Sequence, residues 1–122
     1  MTRALAIATW LVAAACSKSD SPTKPAPAQD RPPPMSEAEL TRANDACTDY
    51  LARVCKCGET VDAAKNICAD SQALPAALKM SVDLATATDA EKLDVLRAQT
   101  SIRRISKTCI DGAAQLPALG CQ

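Results

Sequence analysis

The fold class that the sequence predicts for residues 36–122 is all-α: a small disulfide-stapled bundle of three to four helices. Three observations lead to this prediction. Apolar residues recur every three or four positions in the first and last parts of this region, as on one face of a helix. The region contains six cysteines, and Tyr50 is its only aromatic residue. A core this poor in large side chains is expected to need disulfides for its stability.

The first helix is predicted to begin at Ser36, because Ser36 and Glu39 have the spacing of a capping box. Its apolar face follows at steps of three and four residues and consists of Leu40, Ala43, Cys47, Tyr50 and Val54. Gly58 is expected to end this helix, because glycine adopts a left-handed backbone conformation at little cost.

A second helix is predicted from about Thr60 to Ser71. Pro75 then marks a new start, because proline is tolerated in the first turn of a helix. Residues 78–84 fit a strand, since apolar and polar residues alternate, but Leu78, Val82 and Ala85 also form one helix face. We prefer a helix, because the sequence offers no second strand to pair with this one.

The last helix has the clearest pattern. Thr88 and Glu91 form a second capping-box pair, and Gly112 is expected to end the helix. The apolar face between them consists of Val95, Ala98, Ile102, Ile105 and Cys109. Acidic residues come early and basic residues come late, which suits the helix dipole. Alternatively, the basic end at Arg103, Arg104 and Lys107 binds an anionic surface. Residues 113–122 are expected to turn back, held by Cys121.

Residues 1–15 have the organisation of a secretory signal peptide: a charged start, an apolar centre and small residues at the end. The apolar run is too short to span a bilayer. Cys16 directly follows Ala13–Ala15, and this end resembles the lipobox of bacterial lipoproteins. The resemblance implies cleavage before Cys16, lipid on its thiol and anchoring in the cell envelope. Ser17, rather than Asp, after the cysteine implies the outer membrane.

Two other interpretations of this end stay open. Ala13 stands where Leu is usual in a lipobox, and Ala13–Ala15 also fits the A-x-A site of a signal peptide that releases a soluble, secreted protein. The segment could instead be an uncleaved first helix of a cytosolic protein. Cysteine parity favours the lipoprotein, because six of the seven cysteines remain to pair when Cys16 carries lipid.

Residues 16–35 are predicted to be the lipidated cysteine and a disordered tether. Residues 17–35 contain six of the eight prolines of the chain and have little apolar surface to bury. Fully extended, this segment would reach about 60 Å. Recognition of the prolines by a partner is the alternative, although no aromatic or basic pattern supports it.

The six domain cysteines, Cys47, Cys55, Cys57, Cys68, Cys109 and Cys121, are predicted to form three disulfides, because an exported protein meets an oxidising environment. Cys47 and Cys68 lie at equal distances from a turn at residues 57–58, so we predict a bond between them. Cys55 and Cys57 would then pair with Cys109 and Cys121 in an order that stays open. The alternative is a local Cys57–Cys68 bond, which frees Cys47 to meet Cys109.

The composition excludes several classes of function. Residues 36–122 carry ten Lys or Arg and twelve Asp or Glu, which gives no electrostatic argument for nucleic acid binding. The chain has no His, so Ser-His and Cys-His nucleophile systems are excluded. No metal site and no cofactor are expected.

These observations favour a lipid-anchored, non-enzymatic envelope protein that presents its helical module for binding or for a structural role. Its partner would be the membrane, through Cys16, and an unknown envelope protein or polymer. The alternative is a metal-binding or thiol-redox protein that uses Cys55 and Cys57, since paired thiolates bind soft metals. The lipoprotein resemblance covers residues 1–17 only, and the helical domain resembles no characterised family.

Overall fold

A computed structural model describes residues 31–121, which form four α-helices and one short 3-10 helix. The helices are α1 (Glu37–Cys57), α2 (Asp62–Ser71), α3 (Leu74–Thr86) and α4 (Lys92–Gln115), and the 3-10 helix is Leu116–Leu119. No β-strand occurs between residues 31 and 121. The predicted all-α, disulfide-stapled fold class is confirmed. The predicted signal peptide, Cys16 and most of the tether lie outside the described residues.

The contacts between helices define an up-down-up bundle. Helices α1 and α4 run parallel, because Arg103 contacts Glu39 64 residues before it and Cys109 is bonded to Cys47 62 residues before it. Helix α2 runs back along α1, since Cys68 meets Cys55 and Ser71 meets Tyr50. Helices α3 and α4 are joined by the loop 87–91 and pack along each other, with the hydroxyl oxygens of Ser81 and Ser101 3.1 Å apart.

Helices α2 and α3 are two parts of the descending arm of the bundle. They are separated by Gln72 and Ala73, which keep right-handed helical dihedral angles. Pro75 explains the interruption, because it has no N–H to donate to the carbonyl of Ser71. It lies in the first turn of α3, where this loss is tolerated. The helix predicted for residues 78–84 is therefore confirmed, with Leu78 buried.

The core lies between α1, α3 and α4, and it is built from the predicted faces. Ala43, Cys47, Tyr50 and Val54 of α1 are buried, as are Val95, Ala98, Ile102 and Cys109 of α4. The two buried polar side chains of the described region each have a partner. The hydroxyl of Ser71 donates to the Tyr50 hydroxyl at 3.4 Å, and Gln99 Nε2 donates to the Pro33 carbonyl at 2.9 Å.

Of the two predicted N-terminal helix caps, the one at Ser36 is confirmed and the one at Thr88 is not. Ser36 caps α1, because its side-chain oxygen accepts from the backbone N–H of Glu39 at 3.2 Å. The predicted capping box of Thr88 and Glu91 is wrong, since α4 begins at Lys92 and Glu91 is its N-cap, without a side-chain cap hydrogen bond. The carbonyls of Ala87 and Thr88 instead accept from the guanidinium of Arg31, which holds these residues in the loop.

Of the two glycines that were predicted to end helices, only Gly58 does so, and not in the left-handed conformation expected of it. Gly58 follows α1 as predicted, but its φ of −62° is right-handed, and a Cβ there would lie 2.8 Å from the Cα of Lys65. Gly112 does not end α4, which continues to Gln115, and a Cβ there would lie 2.6 Å from Cζ of Tyr50. Both glycines therefore allow close helix contacts. The left-handed glycine of the described chain is Gly120, with a φ of 86°.

Residues 31–35, here named the N-terminal strap, pack against the helices. The sequence assigns them to the tether, yet Pro32 is buried and the Pro33 carbonyl is held by Gln99. One end of the strap is fixed by Arg31, whose Nη1 donates to the Thr88 carbonyl at 2.9 Å. The described part of the chain therefore begins beside the α3–α4 loop.

Candidate functional site

All six domain cysteines form disulfides. Cys47–Cys109 joins α1 to α4, Cys55–Cys68 joins α1 to α2, and Cys57–Cys121 joins the end of α1 to the C-terminal segment. Their Cα–Cα distances of 4.9, 4.8 and 5.5 Å lie in the usual range for disulfides. The three bonds hold α1 to both the α2 and α4 sides of the bundle.

The predicted Cys47–Cys68 bond is wrong. That prediction placed the turn between α1 and α2 at residues 57–58, but α2 begins only at Asp62 and has ten residues. The residues that connect the two helices change which positions of α1 and α2 lie side by side, so Cys68 lies opposite Cys55 rather than Cys47. The contact between Tyr50 and Ser71, the last residue of α2, confirms this register. Cys47 therefore lies beyond the reach of α2.

The alternative pairing is correct in one bond and wrong in the other. Cys47 does meet Cys109 on the last helix. The local bond, however, uses Cys55 and not Cys57. Positions two residues apart on a helix point about 200° apart, so Cys57 faces nearly the opposite side from Cys55 and meets Cys121 instead.

The metal-binding or redox alternative needs a pair of thiols, and in residues 31–121 every cysteine is in a disulfide. Cys55 and Cys57 belong to two different disulfides, so neither sulfur is a thiolate. Within the described region, no group of three or more His, Cys, Asp or Glu residues could hold a metal ion. The cysteines act as cross-links between helices in this state, and no observation favours their use as ligands.

A shallow groove of about 340 Å³ runs between α1 and α4 beside the strap. Its apolar part includes Met35, Ala43 and Ile110, and its cationic groups are Arg42, Arg103 and Lys107. Arg103 Nε contacts the carboxylate of Glu39 at 3.1 Å, and Lys107 pairs with Asp111. Since the charges are largely balanced, the groove has no strong preference for an anion or a cation.

A second exposed surface lies on the α3–α4 hairpin, which the sequence analysis did not identify as a unit. Leu96, Arg97, Thr100, Ser101 and Arg104 of α4 line a shallow groove of about 300 Å³ there. The exposed apolar side chains of α3, Met80 and Leu84, lie on the same hairpin. The sequence signal for this surface is the set of apolar residues that fall outside the predicted core faces.

Comparison with known proteins does not assign a family. No family model, no curated protein and no solved structure matches the chain. Functional interpretation therefore depends on the residues and their geometry. In the described part of the chain, none of the helices combines the length and the apolar character that a membrane crossing requires.

Proposed function

We propose that this protein is a lipid-anchored, non-enzymatic component of the cell envelope, whose helical domain serves in binding or in a structural role. The domain itself is a disulfide-stabilised helical module. Three disulfides are typical of an oxidising, non-cytoplasmic compartment, because cytosolic thiols are kept reduced. The anchor, the membrane and the absence of catalysis are the proposed part.

The observation that carries the proposal is the complete pairing of the domain cysteines. The chain has seven cysteines, and six of them are joined to one another. Cys16 therefore has no cysteine left to pair with in its own chain. An odd cysteine in an exported protein requires an explanation. Lipid on the Cys16 thiol provides one, and it agrees with the lipobox-like residues before it.

The proposed address is the outer membrane, through lipid on Cys16 and a Pro-rich tether. Several acyl chains would hold the protein far more firmly than one chain. The proposed partner of the domain is an envelope protein or polymer. The near balance of charges in residues 36–122 supports a partner other than nucleic acid.

Metabolic labelling with a fatty acid analogue tests the anchor directly. We expect the wild-type chain to take up the label and to fractionate with membranes. A Cys16→Ala variant should take up no label, because the thiol that receives the lipid is gone, and it should also escape cleavage by the lipoprotein signal peptidase. A Ser17→Ala variant, which keeps that thiol, serves as the matched control. An unlabelled wild-type chain recovered in the soluble fraction would support the secreted alternative and exclude the lipoprotein.

A further inference from the structure

Exposed apolar side chains are concentrated on one hairpin of the bundle. In residues 31–121, four of the five exposed large hydrophobic residues lie on α3 and α4 near the loop 87–91, namely Met80, Leu84, Leu93 and Leu96, with exposures of 72, 43, 53 and 41%. The fifth, Ile110, lies near the other end of α4. Single exposed apolar residues need no explanation, but a concentration of them indicates an interaction surface.

Cationic side chains accompany these apolar residues. Arg97 and Arg104 are two turns apart on α4 and share the shallow groove with Leu96. Arg97 pairs with Asp94 at 3.4 Å, but an exposed pair of this kind contributes little, so its guanidinium is available to a stronger partner. The carboxylates of Asp89 and Glu91 lie at the loop, so the apolar and cationic surface is the side of the hairpin rather than its tip.

The position of the strap indicates which binding partner lies near this surface. Arg31 donates to the carbonyls of Ala87 and Thr88, so the described chain begins beside the loop of the same hairpin. If Cys16 carries lipid, as proposed above, residues 16–30 connect this point to the bilayer. Even fully extended, they would place the bilayer within about 45 Å of the hairpin.

We propose that the side of the α3–α4 hairpin, formed by Met80, Leu84, Leu93, Leu96, Arg97 and Arg104, rests on the anionic phospholipid surface to which the tether is anchored. This inference deepens the proposed function and depends on its membrane address. The aliphatic side chains enter the interfacial region, as in amphipathic helices that lie on membranes. The two guanidinium groups bind lipid phosphates, each adding electrostatic attraction to an anionic surface. The domain would then have a second, reversible attachment beside its lipid.

Vesicle flotation without the anchor tests this surface. Residues 16–122, the chain without its predicted signal peptide, are purified with Cys16→Ser, which removes the lipid, and are mixed with vesicles of phosphatidylcholine alone or with an equal part of phosphatidylglycerol. We expect flotation mainly with the phosphatidylglycerol vesicles. Leu84→Gln combined with Leu93→Gln should weaken binding about tenfold or more, because two apolar contacts with the interface are lost. Arg97→Gln combined with Arg104→Gln should weaken binding only to the anionic vesicles.

Two matched controls use residues away from this surface. Ile110→Gln removes an exposed apolar side chain of α4, and Arg53→Gln removes an exposed cation of α1. Neither should change flotation, and circular dichroism should show that all variants keep their helices. Equal losses in the controls, or no flotation of the parent chain, would overturn the proposal. Self-association that Leu84→Gln and Leu93→Gln abolish, without flotation, would identify a second copy of the chain as the occupant instead.

The two proposals fail in different experiments. Fatty acid labelling of the wild-type chain reports on the anchor alone. Flotation of the Cys16→Ser chain reports on the hairpin surface alone. Labelling without flotation would leave an anchored protein whose domain stays away from the bilayer, and that result contradicts the inference about the hairpin while supporting the lipid anchor.

Discussion

Tyr50 is the largest side chain in the core, and the helix that faces it has a glycine at the point of contact. Its ring occupies the space that a Cβ on Gly112 would need, with Cζ 2.6 Å from that position. The helix therefore carries a residue of poor helical propensity in its interior. The close packing of α1 and α4 at this point depends on that glycine.

Gly112→Ala tests this contact. Alanine is favoured over glycine in a helix interior by about 1 kcal/mol, but the added methyl group would push against the Tyr50 ring. We expect a net loss of roughly 1–2 kcal/mol in the free energy of unfolding, measured with urea. In a Tyr50→Leu background, the same substitution should instead be neutral or stabilising. A stabilising effect with Tyr50 present would contradict the packing described here.

At the scale of the elements, the register between α1 and α2 determines the disulfides. Four residues separate the end of α1 from the start of α2, and this spacing places Cys55 opposite Cys68. It leaves the middle of α1 to pack against α4, which runs parallel to it. Cys47–Cys109 follows from that parallel register, whereas Cys57–Cys121 joins the end of α1 to the segment that follows the 3-10 helix.

The bonds should therefore differ in their contribution to stability. Cys55–Cys68 closes a short loop with a separation of 13 residues, and its removal by paired alanine substitutions should cost about 3 kcal/mol. Removing Cys47–Cys109 should cost about 4 kcal/mol by the same loop entropy, in addition to lost packing, because both cysteines are buried. Urea unfolding of the two double-alanine variants shows which disulfide contributes more to the free energy of unfolding. A larger loss from the short loop would contradict this account.

The periodic pattern in the sequence was sufficient to predict the helices, because each apolar face is a local property of its own segment. The faces of α1 and α4 were predicted correctly, and Ile105 is the one residue of the α4 face that is only half-buried. The disulfides were not predictable in the same way. Their pairing depends on where α2 begins and which side of α1 faces α4, and both are properties of the assembled bundle.

The same limit explains the other differences. Glycine patterns predict left-handed turns, but Gly58 and Gly112 instead leave room for residues of a neighbouring helix, Lys65 and Tyr50. The capping pattern at Thr88 and Glu91 is overridden by Arg31, which comes from the far end of the described chain. The strap was assigned to the tether because its segment is rich in proline and has little apolar surface to bury. Only the tertiary structure brings Pro33 to the buried amide of Gln99.

At the scale of the whole molecule, the disulfides and the strap give the domain an orientation. The strap places the start of the described chain at the α3–α4 loop. Cys57–Cys121 and Cys55–Cys68 lie at the end of α1 and therefore at the opposite pole of the bundle. The cross-linked pole of the bundle therefore lies at the end opposite Arg31, where the described chain begins.

The central claim is a chain whose six domain cysteines are cross-linked and whose seventh carries lipid. The intact mass of the unreduced protein, extracted from the membranes of its own cells, tests both parts most directly. We predict a chain that begins at Cys16, carries the added mass of a diacylglycerol group, and takes up no thiol reagent until it is reduced. A chain without lipid mass, or one whose domain cysteines react before reduction, would contradict the claim.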